Sequence, residues 1–378
     1  MNFFRNFLAS FLGSITALIF IISLVFILIA GIASVASFDK NILSGEISSN
    51  SILNLDLDKD VYDNIPVTQE FEEILGVSPE IIKFLDLINV IELATENKDI
   101  KGINLKTQSP KMGWSQALTI RKSLQRFKEE GKFIYTYGDF FSQKGYYLAS
   151  VSDSIFLNAM GNIELRGLGA EVLYYKELQE KYGFKMEVIR HGKYKSAVEP
   201  YLDDKMSEAN RSQIRSLLNS IWGGIANQIK LSRKVSTENF NKVVDNLDAT
   251  LPVSAFRNNI VDGIVSKTQY KQKVKRKLGI KPDGKLNNVS YLQMKNSFKY
   301  KKGTQNQIAV IYAQGPIIYG EGNETNIGQE LFSKTIRKIK NSKRIKAVVL
   351  RIDSPGGVAL TSEIIWDELI ELKKEKPI

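Results

Sequence analysis

The first forty residues form one long apolar stretch, with no charged residue between Arg5 and Asp39. A helix needs about 20 apolar residues to cross the hydrocarbon core of a bilayer, and this stretch supplies them. The small residues at 33–37 also fit the cleavage site of a signal peptide, but the apolar run is longer than the roughly 7–15 residues of such a peptide. The pattern therefore predicts a retained transmembrane anchor, and Arg5 predicts that the N-terminus lies inside.

Further along, the pattern of apolar and polar positions repeats at a fixed offset. Residues 82–133 align without a gap to residues 327–378, an offset of 327 − 82 = 245, so that Ile100–Leu105 falls on Ile345–Leu350. A Ser-Pro pair follows this apolar run in both copies. Self-similarity at a fixed offset predicts two copies of one fold unit.

Each copy predicts a helix, a short apolar strand, a Ser-Pro turn and an amphipathic helix. The expected ranges are 82–97, 102–107 and 114–130 in the first copy, and 326–341, 347–352 and 359–374 in the second. The first copy continues with a strand at 133–137, a helix near 143–150 and a strand at 154–157, and a long helix is expected at 206–230. Strands that alternate with helices predict an α/β fold with mostly parallel strands. The second copy stops where the first begins its next strand, so we expect a longer natural chain.

Composition narrows the possible chemistry. The chain has no cysteine, which excludes thiol catalysis, disulfides and thiolate metal sites. His191 is the single histidine, so a Ser-His-Asp triad would have to use it, and a hydrogen-bonded loop residue is the simpler interpretation. The net charge is 52 − 41 = +11, and the segment Lys271–Lys281 is strongly basic. This segment is interpreted either as a patch for lipid headgroups or as a solvated helix face.

A glycine pair follows the predicted strand of the second copy, in the segment Asp353–Gly357. Glycines at a strand-to-helix turn allow backbone N–H groups to point at an anion, which is what an oxyanion hole requires. A plain tight turn is the alternative interpretation. The first copy has Lys111 and Met112 in place of Gly356 and Gly357, so only the second copy keeps a usable hole.

A second candidate for chemistry is the lysine-containing segment Gly192–Pro200. A lysine acts as a general base only if burial lowers its pKa towards neutrality. Small and apolar neighbours make burial of Lys195 plausible, but composition alone does not separate it from Lys193 or from a surface lysine. Glu199 stands one helical turn away, where pairing would keep Lys195 charged, so Glu199 is left out of the catalytic set.

Three segments carry a resemblance to a known family: Tyr194–Pro200, Leu173–Lys176 and Asp353–Gly357. They resemble the motifs of the signal peptide peptidase A (protease IV) family in its long, two-repeat form. The resemblance implies tandem ClpP/crotonase-like α/β repeat units after an N-terminal transmembrane helix, with the second unit incomplete. The implied domains are an anchor at 1–38, a first repeat domain with a helical insertion at 39–300, and the start of a second repeat domain at 301–378.

The resemblance also implies a Ser-Lys dyad endopeptidase, with Lys195 as the general base and Gly356 and Gly357 at the oxyanion-binding turn. The family's serine lies in a Gly-Asp-x-x-Ala-Ser-Gly-Gly-Tyr-Tyr segment, where the first copy has Gln143. Adding the offset gives 143 + 245 = 388, which is beyond Ile378. We therefore expect the 378-residue chain to be inactive alone. Ser142 is adjacent to the serine position but one position out of register, which on a helix turns its side chain about 100° away. Ser196 and Ser354 are expected to be turn or capping residues.

By the same resemblance, the expected substrates are signal peptides and other apolar peptides, and the expected assembly is a homo-oligomer, a tetramer. The expected location is the inner membrane, with most of the chain outside the cytoplasm. No metal, nucleotide or organic cofactor is implied, and no nucleic-acid motif is found. Three alternatives are kept open: a non-catalytic membrane-anchored scaffold of the same fold, a crotonase-type acyl-CoA enzyme, which the anchor disfavours, and nucleic-acid binding driven by charge.

Overall fold

The computed structural model describes residues 2–35, 47–64, 81–297 and 306–378. The helices are α1 (Asn2–Val35), α2 (Phe84–Glu96), α3 (Trp114–Glu129), α4 (Gln143–Ala149), α5 (Lys176–Tyr182), α6 (Glu199–Leu202), α7 (Glu208–Arg233), α8 (Thr237–Asp245), α9 (Pro252–Arg257), α10 (Lys267–Lys277), α11 (Tyr291–Asn296), α12 (Gln329–Asn341) and α13 (Ala359–Lys373). A single 3₁₀ turn within the described ranges spans Ser196–Val198.

The strands are β1 (Ser51–Asp56), β2 (Asp60–Tyr62), β3 (Ile81–Lys83), β4 (Ile100–Lys106), β5 (Phe133–Phe141), β6 (Ser154–Ile163), β7 (Gly263–Ile264), β8 (Asn288–Val289), β9 (Gln307–Gln314), β10 (Ile317–Ile318), β11 (Ile327–Gly328) and β12 (Ile345–Asp353). Six of them form one sheet in the order β7-β6-β5-β4-β1-β8, and every pairing in this sheet is parallel. Helices connect its neighbouring strands, as parallel strands require. The predicted α/β fold class is confirmed.

The N-terminal apolar helix α1 contains a 25-residue run, Phe3–Ile27, that is long and apolar enough to cross a membrane. No other helix in the described part of the chain meets that criterion. The side chains of this run pack against no other part of the described chain, since all of them are exposed in the isolated chain. Helix α1 is therefore compatible with a membrane anchor.

The internal repeat is visible in the structure. Helices α2 and α12 begin at the offset of the sequence repeat, 329 − 84 = 245, and β4 and β12 begin at that same offset. The repeat also extends upstream of the aligned sequence, because β9 pairs with β12 as β1 pairs with β4. Leu55 lies opposite Leu105 in the first unit, and Ile311 lies opposite Leu350 in the second.

In this upstream part the offset between the units is 311 − 55 = 256 rather than 245. The offset changes between the second and third strands of each unit, which are farther apart along the chain in the first unit. Val61 pairs with Ile82, a separation of 82 − 61 = 21, whereas Ile317 pairs with Ile327, a separation of 327 − 317 = 10. We call residues 47–297 the first unit and residues 306–378 the second unit.

The six-stranded sheet separates two apolar layers, because neighbouring residues of a strand point to opposite faces. Leu53 and Ile134 belong to a large core under α2, α3, α4 and α7. Ile52 and Phe133, one position away on the same strands, pack instead against Tyr270 and other residues of helix α10 on the opposite face. The second unit has its own small core between its two long strands and α12 and α13.

Candidate active site

The turn Asp353–Gly357 leaves the carboxyl end of β12 and leads into α13. Ser354 shapes it, because its Oγ donates to the carbonyl oxygen of Gly315 at 2.6 Å and accepts from the N–H of Gly356 at 3.2 Å. The Ser354 hydroxyl is thus engaged on both sides within the turn. This is the arrangement of a turn residue rather than of a nucleophile.

Gly357 lies against the backbone of the short strand β10. A Cβ at this position would be 2.1 Å from the carbonyl oxygen of Ile317, so a side chain cannot be accommodated without a shift of the backbone. The N–H of Val358 donates to that same carbonyl at 3.0 Å, and the N–H of Ile317 donates to Gly356 O at 3.0 Å. Among the hydrogen bonds of the described residues, none uses the N–H of Gly357. This N–H is therefore available to a ligand.

The corresponding turn of the first unit keeps the backbone bond but has a side chain in place of the glycine. There the N–H of Val61 donates to Lys111 O at 3.1 Å, as Ile317 does to Gly356. Met112 stands where the second unit has Gly357, and its side chain is buried. The two turns therefore differ in structure as well as in sequence. The first holds a buried methionine side chain at the position where the second has glycine.

Lys195 lies at the start of the 3₁₀ turn Ser196–Val198, on an irregular segment, residues 166–198, that we call the lysine arm. Its backbone N–H donates to Gly192 O at 3.2 Å, and its carbonyl accepts from Arg190 at 3.4 Å. Its side chain is exposed in the isolated chain, and the described residues give its Nζ no ion pair or hydrogen bond. No described contact joins Lys195 to the turn Asp353–Gly357, so the single chain does not bring these predicted site residues together.

The neighbouring candidates are placed as follows. Lys193 is exposed, with its Nζ 5.2 Å from the ring centroid of Tyr194. His191 is also an exposed residue of the lysine arm. Ser196 is the first residue of the 3₁₀ turn, in agreement with a turn residue.

Glu199 is the buried charge of the Lys195 motif, and its partners differ from the one considered above. Its carboxylate accepts from Ser207 Oγ at 2.6 Å, from Ser207 N at 3.3 Å and from Asn210 Nδ2 at 3.1 Å. Arg190 lies 3.8 Å away. Burial alone would raise the pKa of Glu199, but the hydrogen bonds from Ser207 and Asn210 and the charge of Arg190 outweigh it and lower that pKa. Glu199 therefore ties the lysine arm to the N-terminus of α7.

Much of the lysine arm is apolar and uncovered. Seven large apolar side chains on it are at least 45% exposed in the single chain: Leu173, Leu178, Tyr182, Phe184, Met186, Ile189 and Tyr194. An exposed apolar surface of this kind marks a site for contact with another protein surface or with a membrane.

The first unit holds Gln143 where the family's serine is expected. The Gln143 Oε1 accepts from the N–H groups of Arg166 at 3.0 Å and Gly167 at 2.8 Å, and its Nε2 donates to Gly167 O at 2.8 Å. These hydrogen bonds hold the Gln143 side chain against the first residues of the lysine arm. The adjacent Ser142 caps α4 by accepting from the N–H of Gly145 at 3.1 Å, so its hydroxyl has a capping role.

A cleft of about 640 Å³ separates the first unit from the second, next to the Asp353–Gly357 turn. Arg351 Nε and Asp63 Oδ2 join across it at 2.5 Å, and Gln116 Nε2 donates to the other Asp63 oxygen at 3.2 Å. The Asp63 side chain is only 5% exposed, so this ion pair is largely buried on one side. Sequence analysis missed the pair, because two residues 288 positions apart carry no local signal of contact.

The structure therefore defines an α/β protein with an apolar N-terminal helix and two copies of one unit, of which the second carries an open glycine turn. Residues 126–281 match the model of peptidase family S49. The chain is 31% identical over 370 residues to Protease 4 of Haemophilus influenzae, covering 93% of this chain and 60% of that protein. It is 31% identical over 298 residues to Protease 4 of Salmonella typhi, covering 75% of this chain and 47% of that protein.

A plant protein, the chloroplastic serine protease SPPA of Arabidopsis thaliana, is also 31% identical, over 74% of this chain and 42% of its own length. Among solved structures, a membrane-bound stomatin-specific protease, 1510-N, is similar with a TM-score of 0.34 at 11% identity, over 65% of this chain and 92% of that one. The match of residues 126–281 to peptidase family S49 and the similarity to Protease 4 and SPPA confirm the resemblance to signal peptide peptidase A. It spans 60% or less of the length of these three sequence relatives.

Proposed function

We propose that this chain forms part of a membrane-anchored serine endopeptidase that uses a Ser-Lys dyad. Lys195 is the general base, the turn Gly356–Gly357 supplies the oxyanion donor, and the nucleophilic serine belongs to a segment beyond Ile378. The observation that carries the proposal is the N–H of Gly357, which has no described acceptor and lies where no side chain fits. The match of residues 126–281 to peptidase family S49 supports the peptidase class.

In the proposed reaction, the neutral amine of Lys195 takes the proton from the serine hydroxyl as the serine oxygen attacks the peptide carbonyl. The Gly357 N–H donates to the oxyanion that develops on that carbonyl. The lysine then returns the proton to the leaving amine, and water hydrolyses the acyl-enzyme. Of the two glycines, Gly357 is the better donor, because the N–H of Gly356 is already used by Ser354.

A general-base lysine needs a water-poor environment, which Lys195 lacks in the single chain. We propose that the lysine arm becomes covered when the protein assembles as a homo-oligomer, a tetramer by family resemblance. The exposed apolar side chains of the arm support this, since contact with a second subunit would remove their apolar surface from water. Assembly would then bury the arm and exclude water from around Lys195.

The proposed substrates are extended apolar peptides, in particular signal peptides left in the membrane after secretion. Helix α1 supports this, because an anchor would keep the site close to peptides released into the bilayer. We propose a single-pass protein of the inner membrane, with its N-terminus inside and both units outside the cytoplasm. The proposed hydrolysis uses only side chains and backbone N–H donors of the protein.

A non-catalytic scaffold of the same fold is the second candidate. It is favoured by Gln143, whose side chain closes the serine position of the first unit with three hydrogen bonds. The two candidates differ at position 388 of the parent reading frame, which is 143 + 245. A serine there, followed by hydrolysis of casein by the longer protein and none by residues 1–378, supports the peptidase. Any other residue at that position supports the scaffold.

A further inference from the structure

The basic segment around helix α10 holds most of the excess charge of the chain. Between residues 267 and 285 there are eight cationic side chains and one acidic residue, Asp283, which gives 8 − 1 = +7 of the total of +11. The cationic residues are Lys267, Lys271, Lys273, Lys275, Arg276, Lys277, Lys281 and Lys285. Within the described part of the chain none of them forms a salt bridge. We call this surface the basic face.

The basic face is held rigidly on the sheet. Tyr270 and Val274 are buried against it, and the Tyr270 hydroxyl donates to Asn104 Oδ1 at 2.6 Å. Lys275 Nζ donates to Pro282 O at 2.6 Å, which fixes the loop that follows the helix. Lys271 and Arg276 are exposed on the outward side of α10, whereas the Nζ atoms of Lys273 and Lys277 lie over aromatic rings of the sheet. The cations therefore occupy fixed positions on a packed helix rather than on a mobile tail.

The chain enters the first unit beside this face. Asn50 Nδ2 donates to Leu278 O at the C-terminal end of α10 at 3.1 Å, and Asn287 Nδ2 donates to Ser49 O at 3.0 Å. Helix α1 ends at Val35, and the next described residue is Ile47. Twelve peptide steps reach at most about 40 Å even when fully extended. The basic face is therefore tethered close to the end of the apolar helix.

We propose that the basic face docks on the anionic lipid headgroups of the membrane in which α1 is anchored. The inference rests on the proposed membrane anchor but not on the proposed peptidase chemistry. Clustered lysines and arginines next to a membrane segment are attracted to anionic lipids, and the attraction falls off within a Debye length of the surface. A docked basic face would fix the orientation of both units relative to the bilayer, instead of leaving them free on a tether.

The absence of cysteine makes a direct test possible, because a single introduced thiol can be labelled without background. Thr268→Cys places a fluorophore on an exposed position of α10, and Gln125→Cys places one on an exposed position of α3, on the opposite face of the sheet. The full chain is reconstituted into phosphatidylcholine vesicles, with or without phosphatidylglycerol, that contain a headgroup-labelled acceptor lipid. Docking predicts stronger energy transfer from position 268 than from position 125, an increase with phosphatidylglycerol, and a decrease at high salt.

Charge variants sharpen the test. The triple variant Lys271→Gln, Arg276→Gln, Lys281→Gln should reduce the ratio of docked to undocked protein on the order of fivefold for each cation removed. The matched control Lys122→Gln, Lys334→Gln, Lys338→Gln removes the same charge from positions outside the basic face and should leave the transfer unchanged.

Two results would overturn the proposal: equal transfer from both labels whatever the lipid charge, or transfer between two chains labelled at position 268, which would place a second copy on this face. Carbonate extraction of the same vesicles reports on the anchor separately. Extraction of the protein by carbonate would contradict both the anchor and the docking. Retention of the protein with equal energy transfer from both labels would contradict the docking alone.

Discussion

The carbonyl oxygen of Ile317 lies 2.1 Å from the point where Gly357 would carry a Cβ if it were any other residue. The two backbones are held at this distance by the bond from the N–H of Val358 to the same carbonyl. The close approach leaves the Gly357 N–H open while its neighbours are engaged. It also means that no side chain can be added at Gly357 without a shift of the backbone.

Replacement of Gly357 by alanine should displace β10 or the turn, at a cost of about 1–3 kcal/mol in the stability of the second unit. Faster hydrogen exchange of the amides of β9 and β12 would report this loss. Gly224→Ala is the control, because a Cβ at this exposed helical position meets no atom within 4 Å and alanine is the better helix former. Equal exchange rates in the two variants would show that the close approach is not a constraint.

Glu199 should make the lysine arm sensitive to acid. Its pKa is lowered in the folded protein, so its contribution to stability is present above its ordinary value of 4.5 and is lost as the pH falls through the lowered value. Limited proteolysis of the arm should therefore accelerate at acidic pH in the unmodified chain. In Glu199→Gln the arm should be cleaved rapidly already at neutral pH, with little further change on acidification.

The control for this experiment is Glu238→Gln, an exposed carboxylate that pairs with Lys242 at 3.0 Å within helix α8. Surface pairs of this kind contribute little, so its proteolysis should match that of the unmodified chain. An arm whose cleavage rate is indifferent to both pH and Glu199 would contradict the assigned role of this residue.

Arg121 is a buried guanidinium with no carboxylate partner among the described residues. Burial lowers its pKa to about 10, so it stays charged at neutral pH. It donates to the carbonyl of Tyr147, to Ser150 Oγ at 2.9 Å and to Ser232 Oγ at 2.6 Å, and thereby connects α3, α4 and α7. Arg121→Met should remove the buried donor to Tyr147 O and Ser150 Oγ, which leaves these two oxygens only their bond to each other, and lower the free energy of unfolding by about 1–3 kcal/mol.

Thermal or denaturant unfolding of the two variants Arg121→Met and Lys122→Met provides the comparison. Lys122 is the exposed neighbour on the same helix, where substitution should change stability by less than about 0.5 kcal/mol. Similar losses in both variants would mean that the buried hydrogen bonds of Arg121 contribute nothing specific.

Local patterns predicted most of the elements of this fold. The expected helices at 114–130 and 359–374 are found at Trp114–Glu129 and Ala359–Lys373, because each places apolar residues at helical spacing against a core, although α13 also exposes Leu360 and Trp366. The part of the repeat upstream of residue 82 was not predicted, because the sequence comparison used the single offset of 245. The longer connection between β2 and β3 of the first unit changes that offset to 311 − 55 = 256.

Properties that depend on distant partners were not predictable in the same way. The sequence around Glu199 suggested Lys195 as its partner, but the carboxylate turns to Ser207 and Asn210 at the start of α7. The small neighbours of Lys195 suggested burial, yet its side chain is exposed, because nothing in the described single chain covers the arm. Burial of a lysine depends on the residues that pack against it, and the neighbouring sequence does not reveal which residues those are.

Lys195, rather than Lys193, is the proposed base of the dyad. The most direct measurement compares casein hydrolysis by the complete protein with that of its Lys195→Ala and Lys193→Ala variants, with oligomeric state as the check on assembly. Loss of a general base predicts a fall in kcat on the order of 10²–10⁴-fold for Lys195→Ala, with Lys193→Ala close to the unmodified protein. Full activity of an assembled Lys195→Ala variant, or an equal loss in both variants, would contradict the assignment.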